Sequence, residues 1–376
     1  MNGRAFNVAL GWLATLLAGC QLVGTPVKTG SQGAPASERS TVERGTGLAP
    51  DDPGAPDRHH DYVHTRDGIE SRFVWIPRFT AYQVMRPQAA GAASLPVGAW
   101  MGERPAGTEG ADWVQETFGG FYAAKYEASR TSDGQLAVRA HVAPWSDVTW
   151  AEADRASAAW WPGHSHLLKG DEWAAMAIWA SMHGVALRGN TLYGVDAADP
   201  STRFTLAPGR GAALTGSGRS ESWGSRNLTS HTGDEAGVFD LVGNVREWDG
   251  AVSLRDNDLL LGASPTGIGG TLPGYVASMH TDSRLRRFLI PGRTQALPSE
   301  YFGGDFFHSG GGLPGHGAPA GSAAVSPDTL LHANRGGAFN DGHQAEPIQA
   351  GMWLLCINLD DRTTDDALGF RPALSF

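Results

Sequence analysis

Only two stretches of this chain carry the apolar spacing of an amphipathic helix, and both lie before residue 186. Thr149-Trp150-Ala151-Glu152 has capping-box spacing: the threonine oxygen can accept the amide proton of residue 152 while the glutamate reaches back. Ala153, Ala156 and Trp160 follow at helical intervals. A second helix is predicted over about 171–183, with Trp173, Met176, Ala177 and Ala180 on one face. Asp171 and Glu172 fall in its first turn, where the dipole favours them, and Gly184 stops it. Phe73-Val74-Trp75-Ile76, ended by Pro77, and Gly120 to Glu127 read as strands. Residues 187–335 are Gly-rich with short aromatic runs, which predicts long loops braced by small hairpins and packed on the body. The expected class is therefore α+β: two helices around small irregular antiparallel sheets with long loops.

Composition sharpens this. The chain has 51 Gly and 22 Pro, so loops dominate, while 13 Trp argue for a rigid, aromatic-packed body. Cys20 and Cys356 are the two cysteines, which excludes a disulfide framework and any Cys₄ or Cys₃His zinc site. The formal charge of −10 makes the chain a poor partner for nucleic acid.

Residues 1–19 have the pattern of an export signal, with Arg4 ahead of a short apolar run that ends in small residues. Leu17-Ala18-Gly19-Cys20 resembles a bacterial lipobox. The resemblance implies cleavage before Cys20 and its lipidation, and several acyl chains anchor a protein stably where one does not. Gln21 rather than Asp at the next position favours the outer membrane or cell surface. Residues 20–60 have few large apolar side chains among many Gly, Pro, Ser, Thr and Asp, and read as a flexible tether. A single domain is expected over 61–376, with a long Gly-rich insertion at about 187–334 and a distinct region at about 335–371.

Gly237 to Trp248, reading Gly-Val-Phe-Asp-Leu-Val-Gly-Asn-Val-Arg-Glu-Trp, is the most specific stretch. It resembles the signature of the formylglycine-generating-enzyme-like branch of the C-type lectin fold. Phe121 to Glu127, Leu167 to Trp173, Asn334 to Phe339 and Gly369-Phe370-Arg371 fit that family's other motifs in the right order. In such a framework Asn244 bonds irregular backbone, Trp248 is core, and Arg335 and Arg371 pair with buried acids or carbonyls.

The formylglycine-generating oxidases of this branch hold copper on a pair of C-terminal cysteines, whereas this chain has only Cys356 there. Related sulfoxide synthases use three histidines on iron; the histidines here are scattered, with His59, His60 and His64 ahead of the body. Asp-rich loops can supply oxygen ligands to a structural calcium, though no EF-hand spacing exists. No other cofactor is expected. Arg284, Arg286 and Arg287 read as a solvated strand face.

Arg335 to Arg371 also resembles the variable region of diversity-generating-retroelement proteins, in which template adenines are miscopied and Asn codons scatter into many residues within a fixed frame. Ala350 to Leu355 and Gly369-Phe370-Arg371 match the frame. By resemblance, the variable ligand-binding positions fall on Ala338, Asn340, Asp341, His343, Cys356, Asn358, Leu359, Thr363, Asp365 and Ala367. Each of these residues is reachable from an AAC codon by changing adenines alone, whereas Gln344, Met352 and Trp353 are not. Six acids against three arginines give residues 335–371 a formal −3, favouring a basic or amide-rich partner. The resemblance thus implies a non-catalytic, lipid-anchored monomer that binds a protein or other macromolecule. The alternatives are a metal-dependent oxidase of the formylglycine-generating or sulfoxide-synthase type and a structural envelope lipoprotein.

Overall fold

A computed structural model of the chain describes residues 61–86, 100–108, 111–255, 258–262, 270–272, 329–341 and 351–376, all within one compact unit. The strands run in order as Tyr62–Arg66 (β1), Ile69–Ile76 (β2), Phe79–Arg86 (β3), Trp100–Met101 (β4), Asp112–Phe118 (β5), Phe121–Ala124 (β6), Ser129–Arg130 (β7) and Leu136–Ala137 (β8). Helix α1 (Trp150–Trp160), strand β9 (Ser165–Leu167) and helix α2 (Gly170–Met182) follow. Then come Arg246–Arg255 (β10), Asp258–Leu261 (β11), Gly270–Leu272 (β12), Leu330–Gly336 (β13), Gly351–Asp360 (β14), Leu368–Gly369 (β15) and Pro372–Leu374 (β16). Small, mostly antiparallel sheets with two helices make this an α+β protein.

The five-stranded sheet β1-β2-β6-β16-β9 is covered on both faces. Side chains alternate along a strand, and here the alternation sorts them between two cores. Val74, Ile76, Phe121, Ala123 and Ala373 pack with Trp173, Met176 and Ile178 of α2. Phe73, Tyr122, Ala124 and Leu374 pack with Trp160 of α1. That is why the middle strands read as unbroken apolar runs. Helix α1 begins where its capping box predicts: Thr149 Oγ1 accepts from the Glu152 amide at 3.2 Å, and Glu152 accepts from Thr149 N at 3.0 Å. Helix α2 is buried almost all round rather than on one face, because it lies inside the body.

The second large sheet has the order β12-β11-β10-β13-β14, with β15 parallel to the start of β10. Its central strand, β10, lies within the stretch expected to be an inserted loop region, so residues 187–334 carry part of the framework. The period-2 signal was hidden because both faces of β10 are covered from Glu247 to Asp249. Three indoles tie the layers together by donating to remote carbonyls: Trp150 to Asp249, Trp173 to Met352 and Trp248 to Val148, at 3.0, 2.7 and 2.9 Å.

Candidate functional site

The C-terminal strands stand on a buried polar frame. Arg371 is fully buried. Its Nε and Nη2 clamp the two oxygens of Glu247 at 2.9 and 2.6 Å, while Nη1 donates to Ala124 O and Nη2 to Phe239 O, both at 2.9 Å. A planar guanidinium fits this because it presents its donors in a fixed fork. Nearby, Asn244 adopts a left-handed backbone (φ +62°). Its Oδ1 accepts from Ala213 N at 2.6 Å and from Asn190 Nδ2 at 3.2 Å, while its Nδ2 donates to Glu127 Oε2 at 2.6 Å. The adjacent Gly243 is required: a Cβ there would sit 2.3 Å from Asn190 O.

Three buried carboxylates, Glu127, Asp240 and Glu247, share this one arginine. Burial, reinforced by Asp240 and Glu247, pushes Glu127 well above the ordinary glutamate value, against the pull of Arg371 and Asn244. Burial likewise raises Asp240 to about 6, and raises Glu247 despite its arginine clamp. Glu127 therefore keeps its proton where an exposed glutamate would be ionised.

Arg335 forms the second buried pair, with Nε 3.2 Å from Asp249 Oδ2. Asp249 Oδ1 accepts from the amides of Ala251 and Val252. Trp248 is fully buried. Next to these, His332 stacks on Trp150 with ring centroids 4.1 Å apart, and burial lowers its pKa to about 4, so the ring is neutral.

Above the frame lies a residue that the sequence reading treated only as part of a motif. Arg246 opens β10; its amide donates to Ala367 O at 2.8 Å, and its Nη2 donates to Asp341 Oδ1 at 2.6 Å. Asp341 Oδ2 in turn accepts from Ala338 N at 2.7 Å. Burial alone would lower the Arg246 pKa, but the charge and hydrogen bond of Asp341, with a smaller pull from Asp365, outweigh it and raise it. Its side chain is 29 % exposed, and its Nε is buried without an acceptor. One predicted variable position, Asp341, thus holds the Arg246 guanidinium, while Ala338 and Ala367 are tied to the same pair through backbone. The available signal was a lone basic residue between Val245 and Glu247.

These positions do not all face outward. Ala338 and Ala367 are corrections: both are buried, packed with Ala212, Val245 and Phe339 in a small apolar cluster. Asp341 is also a correction, since it is buried and committed to Arg246 and to the Ala338 amide. Cys356 sits opposite Asn334 on β14 and is 9 % exposed, so it too points inward. The cause is that β14 is covered on both faces from Leu354 to Ile357, which removes the outward half of the alternation. Asn340 is half-buried with its Oδ1 unpaired. Leu359 is half-buried against the α1-side core. Thr363 is half-buried and donates to Asp360 Oδ1 at 2.8 Å. Asp365 is exposed, its carboxylate accepting from Ala367 N at 2.8 Å. Asn358 lies on β14 with its side chain outside the described set, and His343, like Cys20, His59, His60 and the arginines at 284, 286 and 287, lies outside the described residues.

Among the described residues no three His, Cys, Asp or Glu side chains are grouped as ligands of a metal ion. In the loop carrying Asp196 and Asp199 the carboxylates are taken up by backbone. Asp196 accepts from the amides of Gly189, Ala198 and Asp199, and Asp199 from Ser201. Such a loop is closed by its own hydrogen bonds and offers no free carboxylate cluster to calcium.

No family model matches the chain, and no curated protein matches it. Among solved structures, PvdO from Pseudomonas aeruginosa is similar over 86% of this chain and 100% of its own, at 13% identity and a TM-score of 0.39. The P3c variant of the major tropism determinant is similar over 81% of this chain and 63% of its own, at 12% identity and a TM-score of 0.31. Its U1 variant aligns over 68% of this chain and 50% of its own, at 12% identity and a TM-score of 0.30.

Proposed function

We propose that this chain is a non-catalytic, surface-displayed ligand-binding protein of C-type lectin fold, whose C-terminal region is diversified by adenine-directed mutagenesis. The observation that carries the reading is the set Asn340, Leu359, Thr363 and Asp365, which stay half-exposed or exposed in a C-terminal region whose framework residues are buried. The frame of that region is held by Arg371–Glu247 and Arg335–Asp249. A frame anchored by buried charge pairs lets rim residues change at little folding cost. The ordered run of motifs from Phe121 to Arg371 and the α+β arrangement support the C-type lectin assignment.

The ligand is a protein or other macromolecule. Asp361, Asp365 and Asp366 are exposed along the rim, which favours a basic or amide-rich partner surface. A face this small binds through a few anchors or through many anchored copies acting together. Lipidation of Cys20 places the body at the bacterial outer surface on its tether, as a monomer needing no cofactor.

The test is genomic and chemical. Sequencing beside the gene is expected to find a reverse-transcriptase gene and a near-copy of the segment encoding residues 335–371 that differs only at adenines. A copy differing at other bases, or none, ends the diversification claim. Stoichiometric copper or iron in the purified chain would instead favour the oxidase alternative.

A further inference from the structure

Among the described residues the large apolar side chains left exposed are Val63, Tyr193 and Leu206, at 38, 47 and 40 %. Single exposed apolar residues are ordinary, but two of these share one turn beside the C-terminal rim. Tyr193 and Gly194 are the central residues of a two-residue hairpin: Leu192 N donates to Val195 O at 3.0 Å, and Val195 N to Leu192 O at 3.2 Å. Both central residues stand at positive φ, +42° and +97°. This is the type I′ geometry, in which asparagine or glycine suits the first central position and a bulky aromatic is strained. Asn190 Oδ1 holds the turn by accepting from Gly194 N at 2.7 Å. Leu206 packs over it, since a Cβ on Gly194 would meet Leu206 Cδ2 at 3.4 Å. Another residue would serve the turn better, and an aromatic kept there against local preference points to a use outside the fold.

The turn is joined to the rim. Tyr193 N donates to Phe339 O at 2.9 Å, and the two rings meet edge to face with centroids 5.2 Å apart. Asn340, half-buried, follows Phe339 directly. Phe339 packs in the small cluster with Ala367, which leads back to the exposed Asp365 and Asp366. Charge is unevenly divided across this surface. Residues 190–212 hold Asp196 and Asp199 against Arg203 and Arg210, and Arg210 is taken up by Asp147 and Ser146 at 3.1 and 2.8 Å. Residues 360–366 hold four aspartates against Arg362. The surface is therefore apolar at one end and acidic at the other.

We propose that Tyr193 and Leu206 are the fixed anchor of the binding face, docking an apolar side chain of a protein ligand whose neighbouring Lys or Arg meets Asp365 and Asp366. The anchor rests on the reading of the C-terminal rim as that face. Tyrosine suits the role because it offers a large amphipathic contact area with few rotatable bonds, and binding energy concentrates on such residues. Both anchor residues lie outside 335–371, so they stay constant while the rim changes. The rim then selects among ligands that the anchor holds.

Random linear peptides displayed on phage are panned on the immobilised full-length chain, and enriched sequences are synthesised and titrated by fluorescence anisotropy. Enriched peptides are expected to carry Lys or Arg within a few residues of an aliphatic or aromatic side chain. Tyr193→Gly, which suits the turn and removes the ring, is expected to weaken binding by ~10-fold or more, and Leu206→Ser by ~3–10-fold, as loss of interface anchors does. Tyr193→Phe keeps the ring and is expected to hold affinity within ~3-fold. Asp365→Asn with Asp366→Asn is expected to weaken binding and flatten its salt dependence. Melting followed by circular dichroism is expected to show Tyr193→Gly at least as stable as Tyr193→Ala, because glycine takes positive φ freely. Should Tyr193→Gly not fold, Tyr193→Asn and Leu206→Ser read the same loss. No enrichment, enriched peptides without that pairing, or peptides that bind Tyr193→Gly and Leu206→Ser as they bind the parent would each overturn the anchor. If such peptides are lost instead when Asn340 and Thr363 are replaced by alanine, the binding face stands and the anchor alone falls; if no substitution on this face moves them, the face falls as well.

Discussion

Replacing Asn244 isolates what the frame owes to one side chain. Truncation to alanine strands the Ala213 amide and the Glu127 carboxyl, each of which has a 2.6 Å partner in Asn244. Leaving two such buried groups unpaired costs about 4 kcal/mol at ~1–3 kcal/mol each. Alanine must also adopt φ +62°, a left-handed conformation that adds ~1–2 kcal/mol for an L-residue with a Cβ. Asn244→Ala is therefore expected to lose about 5–6 kcal/mol. Asn244→Gly loses the same hydrogen bonds without the strain, at an entropic cost of ~0.5–1 kcal/mol, so glycine is at least as stable as alanine, the reverse of their usual order. Asn244→Asp keeps the acceptor and exchanges the donor for a second acceptor, which the protonated Glu127 can satisfy. Its penalty should grow as pH rises and Glu127 gives up its proton. Urea unfolding monitored by tryptophan fluorescence gives all three values. An alanine variant within about 1 kcal/mol of the parent, or one more stable than glycine by that amount, would refute the reasoning.

Three other outcomes follow from the same geometry. In a double-mutant cycle, Asp341→Asn and Arg246→Gln should each cost ~2–3 kcal/mol with a coupling of ~1–3 kcal/mol, read by urea midpoints; additivity would mean the 2.6 Å pair is not an energetic unit. Asp240, whose folded pKa is about 6 against an ordinary 3.8, binds its proton more tightly when folded. The unfolded chain thus loses that proton first, and stability falls by about 3 kcal/mol as pH rises from about 4 through about 6, then levels. Asp240→Asn should remove that slope while its amide oxygen keeps accepting from Gly216 N; an unchanged pH profile would count against the assignment. Finally, Thr363→Ala and Asp365→Ser together should shift stability by ~1 kcal/mol or less, whereas Ala338→Leu or Ala367→Leu should each cost ~1–3 kcal/mol by overpacking. Melting curves that rank the two pairs the other way would reverse the division between rim and core.

Much of the frame was legible before any coordinates. The Thr149–Glu152 capping box is a local hydrogen-bonding pattern, and local patterns survive in sequence. Arg335 and Arg371 were readable as framework because a guanidinium that cannot lose its charge must find an acid when buried. Cys356, Ala338 and Ala367 were misread for one reason. Their burial is set by distant elements: β14 is covered on both sides where Cys356 sits, and Ala338 and Ala367 face a third, small cluster. Arg246 went unseen because its role depends on Asp341, 95 residues away.

By itself the sequence determined what depends on residue type and near neighbours: two helices, the first opened by a capping box, arginines that must find acids when buried, and a body braced by tryptophan instead of disulfides. The tertiary structure decided which face of each strand is dry, which acids share Arg371, and which residues gather on Arg246. These follow from burial and from charges meeting across long loops, and no stretch of chain short enough to read as a pattern contains both partners.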